Sequence, residues 1–176
     1  MIQLAIAGAA GRMGQSLVSA CEAHESFVLA HAFEQPGHAS VGQSAGSGQS
    51  PVILTDSIDG PSFDVLIDFT SPAASLVNLA SCAEQGRKAV IGTTGFSDAD
   101  RERMAELAEK TAVVWAPNMS VGVNITLRLL ELAAGAFGDD VDVEIIEAHH
   151  RHKVDAPSGT ALKMGEVVAK TLGRTL

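Results

Sequence analysis

The segment EAHHRHKVDAPSGTA, Glu147 to Ala161, sets His149, His150, Arg151, His152 and Lys153 side by side in a chain whose formal net charge is −9. Like charges repel, so an acidic chain that gathers its basic groups needs an anion to offset them. Lys153 offers an ammonium to a carboxylate. A few residues on, Ser158 or Gly159 starts a helix, and the unpaired backbone N–H groups of Gly159 and Thr160 offer a second place for negative charge. Two adjacent anion sites fit a small dicarboxylate, and a neighbouring histidine suits proton transfer at neutral pH. Three other readings stand beside this one. The histidines have the chemistry of metal ligands, but no cysteine or further histidine arrives at a familiar ligand spacing, so no metal is assigned. A solvated charged loop and hydrogen-bonded structural histidines are the other two. It takes a cofactor site elsewhere to favour catalysis.

Such a site is written at the N-terminus. GAAGRMG places Gly8, Gly11 and Gly14 directly after an apolar run and at the opening of a helix. A turn of this kind brings backbone N–H groups against a pyrophosphate, an approach that side chains would obstruct. The spacing G-x-x-G-x-x-G is a variant of the stricter dinucleotide fingerprint, and an ordinary tight turn is its plain alternative. Glu34 stands about 20 residues further on, where an acid meets the adenosine ribose hydroxyls. The neighbouring Gln35 is neutral, where a cation would be expected for a 2′-phosphate, and Arg12 remains a candidate phosphate partner. Two more strand ends carry small polar groups, Gly92-Thr93-Thr94-Gly95 and Ala116-Pro117-Asn118-Met119. In an open parallel sheet both would line the cleft at its nicotinamide end.

The elements that position these groups alternate along the chain. Strands are expected at Ile2–Ala7, Phe27–Phe33, Val52–Leu54, Val65–Phe69, Ala89–Gly92 and Ala112–Ala116. Helices are expected at Arg12–His24, from Ser71-Pro72 to about Gln85, from Ser97 to Lys110, and from Ser120 to Phe137. Asp98 and Asp100 sit in a first helical turn, where the helix dipole favours acids. Pro36 to Ser50, rich in Gly and Ser, reads as a long flexible loop, and Val141 to Ala148 as an alternating strand. Strands and helices in this order imply an α/β fold, a parallel sheet with helices on both faces.

Composition narrows the function classes. A 176-residue chain, 46% hydrophobic and 19% charged, holds one full domain or one and part of another. Its acidity argues against nucleic acid. The later apolar run contains Arg128 and Glu131 and is not read as a membrane span, and the N-terminus lacks the basic region of a signal peptide. Cys21 and Cys82 lie in apolar helical patterns and read as buried thiols in a reducing cytoplasm. A reductase working through a cysteine thioester would need a cysteine in a loop after a strand, and neither is so placed.

With EAHHRHKVDAPSGTA, GAAGRMG, VLIDFTSP, VIGTTGF and NMSVGVN taken together, the chain resembles the bacterial 4-hydroxy-tetrahydrodipicolinate (dihydrodipicolinate) reductases of lysine and diaminopimelate biosynthesis. The match runs in order from Gly8 to the C-terminus. The resemblance implies a Rossmann-type dinucleotide-binding domain, a parallel sheet with helices on both faces, over residues 1–119 and, from 120 to 176, the beginning of a mixed α+β substrate domain that also builds a homotetramer. It implies reduction of a cyclic dicarboxylate by NADH or NADPH. Carried over by residue, it makes His149 the proton donor and acceptor and Lys153 the second catalytic donor. His150, Gly159 and Thr160 become holders of substrate carboxylates. Gly8, Ala9, Ala10, Gly11, Arg12, Met13, Glu34, Gly92, Thr93, Thr94, Ala116, Pro117, Asn118 and Met119 become cofactor contacts. Members of that family run well past the position of Leu176, so the chain is expected to be C-terminally incomplete, and a fragment that binds NAD(P) without catalysis is the alternative.

Overall fold

The structure is a computed structural model that describes residues 1–46, 52–149, 151 and 156–176. In chain order its elements are β1 Ile2–Ala7, α1 Arg12–Glu22, β2 Phe27–Phe33, β3 Ser44–Ala45, β4 Val52–Ile53, β5 Val65–Asp68, α2 Pro72–Glu84, β6 Lys88–Ile91, α3 Asp98–Ala108, β7 Val113–Trp115, α4 Val121–Phe137 and α5 Gly159–Thr171. The chain divides into two compact units, Met1–Ala116 and Pro117–Leu176.

The first unit is built on a five-stranded sheet in the order β2-β1-β5-β6-β7, with every pairing parallel. The apolar runs that end in small or polar residues become its strands. Parallel neighbours need crossovers, and α1, α2 and α3 supply them. Side chains alternate across β1. Ala5 and Ala7 join Leu66, Leu79, Ile91, Met104 and Leu107 in one buried cluster beneath α2 and α3. Ile6 joins Val18, Ala32 and Leu54 in another beneath α1. Helices therefore cover both faces, as the sequence pattern implies. Burying a side chain such as Leu66 or Leu79 stabilises the fold by about 1.5–3 kcal/mol each.

β3 and β4 pair antiparallel, and past β4 the chain turns to run beside β2. Thr55 bridges Phe33 in parallel, its N–H donating to the Ala32 carbonyl at 3.1 Å while Glu34 N–H donates to the Thr55 carbonyl at 2.9 Å. This isolated bridge lies outside β2, where a Rossmann sheet carries its outermost strand. The described part of the expected flexible loop, Pro36 to Gly46, is a run of hydrogen-bonded turns that leads into β3. His38 N–H donates to the Gln35 carbonyl and Val41 N–H to the His38 carbonyl, at 3.1 and 3.0 Å. The remainder of that loop lies outside the described residues.

Helix starts follow the caps. Ser97 and Asp100 form a reciprocal capping box at α3. Ser71 holds the N-cap position of α2 with Pro72 behind it, although its side chain makes no cap hydrogen bond.

In the second unit, Ser120 caps α4 through Val123 N–H and Ser158 caps α5 through Ala161 N–H. Arg174 pairs with Asp139 across the ends of these two helices. Val141 to Ala148 forms no strand among the described residues, contrary to its alternating pattern. Alternation marks a segment able to pair, but a strand exists only where another supplies the ladder, and none of the described residues does.

Candidate active site

In a sheet of parallel strands, all carboxyl ends open on one edge, and here the order reverses between β1 and β5. A cleft of about 1170 Å³ lies at that edge. Gly8 and Gly11 line it after β1, Glu34 and Gln35 after β2, and Thr70 and Ser71 after β5. This is where ligands of open α/β sheets bind.

The glycine loop is shaped by what it excludes. Gly8 has φ +64°, a left-handed conformation that other residues rarely adopt. A Cβ on Gly14 would fall 2.1 Å from the Gly8 carbonyl oxygen and 2.5 Å from Ala9 Cα, so α1 packs backbone against backbone on the turn. Ala10 N–H donates to Glu34 Oε1 at 2.8 Å, which ties the end of β2 to the loop. Among the described residues Glu34 Oε2 meets only the Gln35 N–H, at 3.4 Å, and retains lone pairs for a ligand hydroxyl. Ala9 is buried and packs the turn, while Arg12 and Met13 are exposed at the start of α1.

One carboxylate organises the neighbouring loops, and the sequence reading passed over it. Asp68, wholly buried, ends β5. Its Oδ1 accepts the Thr70 N–H at 3.0 Å, the Thr70 hydroxyl at 2.6 Å and the Ser75 hydroxyl at 3.0 Å, and its Oδ2 accepts the Asn78 amide at 2.8 Å. Thr93 Oγ1 lies 2.7 Å from Ser75 Oγ and accepts the Thr70 N–H at 3.0 Å. The Thr93 carbonyl in turn accepts Trp115 Nε1–H at 3.1 Å. Three consecutive strand ends, those of β5, β6 and β7, are thus joined around one buried side chain, which makes no ion pair among the described residues. The signal in the sequence is the polar pair Ser75 and Asn78, three residues apart and so on one face of a largely apolar helix. Thr93 therefore turns inward, whereas Gly92 is half-buried and Thr94 exposed.

Ala116 closes the first unit, its N–H donating to the Ile91 carbonyl at 3.2 Å. Pro117, Asn118 and Met119 open the second. Asn118 Oδ1 accepts the Ser120 N–H at 2.8 Å and shapes the entry to α4.

Around the histidine segment, Glu147 is the organising group. Its Oε1 accepts the Ser158 N–H at 2.8 Å, and its Oε2 lies 3.5 Å from His149 Nδ1. Glu147 belongs to the segment but was given no role from the sequence. Ser158 Oγ takes the Ala161 N–H, which leaves the N–H groups of Gly159 and Thr160 at the mouth of α5 without an acceptor among the described residues. His150 and Lys153 lie outside the described residues. So the structure brings His149 to a carboxylate in the same unit as the bare helix start. No group of three or more His, Cys, Asp or Glu among the described residues is placed to hold a metal.

Both cysteines are buried. Burial pushes the Cys82 thiol up to about 11, against a smaller opposing effect of Arg87 and a further upward one from Asp68. Burial, with Glu22 adding to it, also raises Cys21. Neither has the depressed pKa of a nucleophile.

Comparison with known proteins gives matches along almost the whole chain. A family model described as dihydrodipicolinate reductase, N-terminus, matches residues 2–119, and one described as dihydrodipicolinate reductase, C-terminus, matches residues 122–175. A dipicolinate-bound dihydrodipicolinate reductase from Paenisporosarcina sp. TG-14 is 33% identical, with TM-score 0.79, over 97% of this chain and 66% of that one. The chain thus spans just under two thirds of that relative. Aspartate semialdehyde dehydrogenase II from Vibrio cholerae (13% identity, TM-score 0.57, 99% of this chain and 67% of that one) shares the fold. So does the WlbA dehydrogenase from Chromobacterium violaceum (19% identity, TM-score 0.56, 77% and 40%), a complex with NADH and UDP-GlcNAcA.

Proposed function

The chain belongs to the dihydrodipicolinate reductase family, and from that premise we propose that it reduces 4-hydroxy-tetrahydrodipicolinate, which loses its hydroxyl as water to give the conjugated imine dihydrodipicolinate, to tetrahydrodipicolinate with NADH or NADPH. The observation that carries the reading is the cleft at the β1/β5 reversal, bordered by a glycine turn on which α1 packs with no room for a Cβ at Gly14, and by the Glu34 carboxylate. That donor set fits a dinucleotide: loop N–H groups for the pyrophosphate and an acid for the ribose. Lysine and diaminopimelate biosynthesis, a cytoplasmic setting and a homotetramer for the complete enzyme belong to the same proposal. Residues 1–119 bind the nucleotide and residues 120–176 begin the substrate domain.

The coenzyme, when bound, supplies the hydride. The chain's own groups do the rest. Gly8 to Met13 hold the pyrophosphate, and Gly92 to Thr94 with Ala116 to Met119 border the nicotinamide end. The free N–H groups of Gly159 and Thr160 take one substrate carboxylate at the positive end of α5. Lys153 and His150 neutralise the other, and Lys153 polarises the ring. Reduction of a conjugated imine leaves a carbon that must take a proton, and His149 delivers it. With Nδ1 facing Glu147, proton transfer falls to Nε2.

The test is a coupled assay. Dihydrodipicolinate, generated in situ, is offered with NADH and with NADPH while absorbance of the reduced coenzyme is followed. Substrate-dependent loss of absorbance is expected. Tight coenzyme binding in calorimetry without turnover would instead establish a nucleotide-binding fragment.

A further inference from the structure

The ribose end of the cleft carries one feature that the reading above leaves unused. The tetrapeptide Gln35-Pro36-Gly37-His38 closes a tight turn, with His38 N–H donating to the Gln35 carbonyl at 3.1 Å. Proline in the second position and glycine in the third, the latter at φ +80°, are what a type II turn requires. The turn carries the chain back on itself directly after Glu34 and leaves the half-buried His38 side chain lining the same cleft as Glu34.

The imidazole is held in one tautomer. His38 Nδ1 accepts the Ser40 N–H at 3.2 Å. A nitrogen that accepts carries no proton, so the hydrogen of the neutral ring sits on Nε2. His38 therefore presents a fixed N–H donor to a cleft whose other ionisable lining groups, Glu34, Asp56, Asp59 and Glu84, are all acids. Among the described residues no lysine or arginine lines it. A 2′-phosphate dianion would meet these carboxylates with no permanent cation to offset them. A ribose hydroxyl meets a matched pair, because it donates to a carboxylate and accepts from an N–H at once.

Resting on the proposed dinucleotide site, we propose that His38 is a specificity-determining residue that donates from Nε2 to the adenosine ribose diol, while Glu34 accepts from it. The pair selects an unphosphorylated ribose, and hence NADH over NADPH.

Two probes and one substitution test this in the whole chain. His38→Asn keeps an acceptor for the Ser40 N–H, since an asparagine oxygen bonds the N–H two residues on in the same way. It removes only the outer donor. Calorimetry compares ADP with 2′,3′-dideoxy-ADP, which lacks the diol. The wild-type chain should prefer ADP, and His38→Asn should bind ADP and NADH about 2- to 10-fold more weakly, the worth of one hydrogen bond. Dideoxy-ADP affinity should be unchanged by the substitution, so the preference shrinks. An undiminished ADP preference in His38→Asn overturns the proposal. A readout independent of the variant's folding is the His38 Nε2–H resonance of the wild-type chain. It should shift with ADP and not with dideoxy-ADP, and an equal response to both overturns the assignment. A wild-type chain that binds neither NADH nor ADP overturns the dinucleotide reading itself, a distinguishable failure.

Discussion

Glu147 and His149 face each other across 3.5 Å, Oε2 to Nδ1, while the other oxygen of the same carboxylate accepts the Ser158 N–H at 2.8 Å. One side chain therefore orients the proposed proton-transfer group and anchors the start of α5. Glu147→Ala removes both acceptors, and leaving them unmade should lower stability by about 1–3 kcal/mol. Amide exchange at Gly159 to Ala161 should rise accordingly. Glu147→Gln retains a carbonyl for the Ser158 N–H but offers His149 no charge. It should restore the exchange protection without restoring turnover. Recovery of both would leave Glu147 with a purely structural place.

Gly14 makes a sharper demand. Its hypothetical Cβ strikes backbone atoms of Gly8 and Ala9, which cannot move without opening the turn. Gly14→Ala should weaken NADH binding by at least about 10-fold, because a displaced turn misaims several N–H groups at once. It should also destabilise the first unit, as overpacking does, by about 1–3 kcal/mol. Calorimetry and urea denaturation measure the two effects separately.

Asp68 is held by five donor groups and meets no cation among the described residues. Removing a buried acceptor strands its donors, so Asp68→Ala should cost more than about 3 kcal/mol. Ser75→Ala, which breaks one link to Asp68 and one to Thr93, should cost about 1 kcal/mol. A urea midpoint for Asp68→Ala close to the wild-type value would contradict this account of the network.

How much of this was legible depends on the range of the interaction. The turn after β1 could be read because its constraint is local: an apolar run, then glycines, then a helix. The Pro36-Gly37 turn carried its signal in two adjacent residues, yet the Gly- and Ser-rich stretch around it reads as flexible and hid it. The Asp68 network joins residues up to 25 apart, and nothing local distinguishes its serine and asparagine from exposed ones. Glu147 has the same difficulty, since its partner Ser158 arrives 11 residues later. Val141 to Ala148 shows the converse. Its alternation is clear in the sequence, but pairing is a property of two segments, and one segment's pattern does not supply the other.

Cys82 links burial to pH. Its thiol titrates at about 11 in the folded chain and near 9 when exposed. Between those values the unfolded chain has lost the proton that the folded chain still holds, so stability falls as pH rises from about 9 to 11 and is intact below. The loss from this group is on the order of 2–3 kcal/mol. Cys82→Ala should start less stable at neutral pH and show a flatter decline over that window. Denaturation midpoints measured across it, for wild type and variant, give the difference directly. The native chain should also react slowly with thiol reagents at neutral pH.

The last prediction separates roles within the histidine segment, where turnover can be measured. His149 is proposed to move a proton, and the N–H groups of Gly159 and Thr160 to hold a carboxylate. A group acting mainly in the transition state lowers kcat, whereas one that binds ground and transition states alike raises KM. His149→Gln should lower kcat by about 100-fold or more with a modest change in KM. Gly159→Pro removes one binding N–H at the first helical position, where proline is otherwise tolerated, and should mainly raise KM. Neither should alter NADH affinity, since neither residue is among the groups proposed to hold the coenzyme and neither lines the cleft at the β1/β5 reversal. If His149→Gln kept near-normal kcat while NADH binding collapsed, His149 would belong with the coenzyme, and proton transfer would have to be sought elsewhere in the segment.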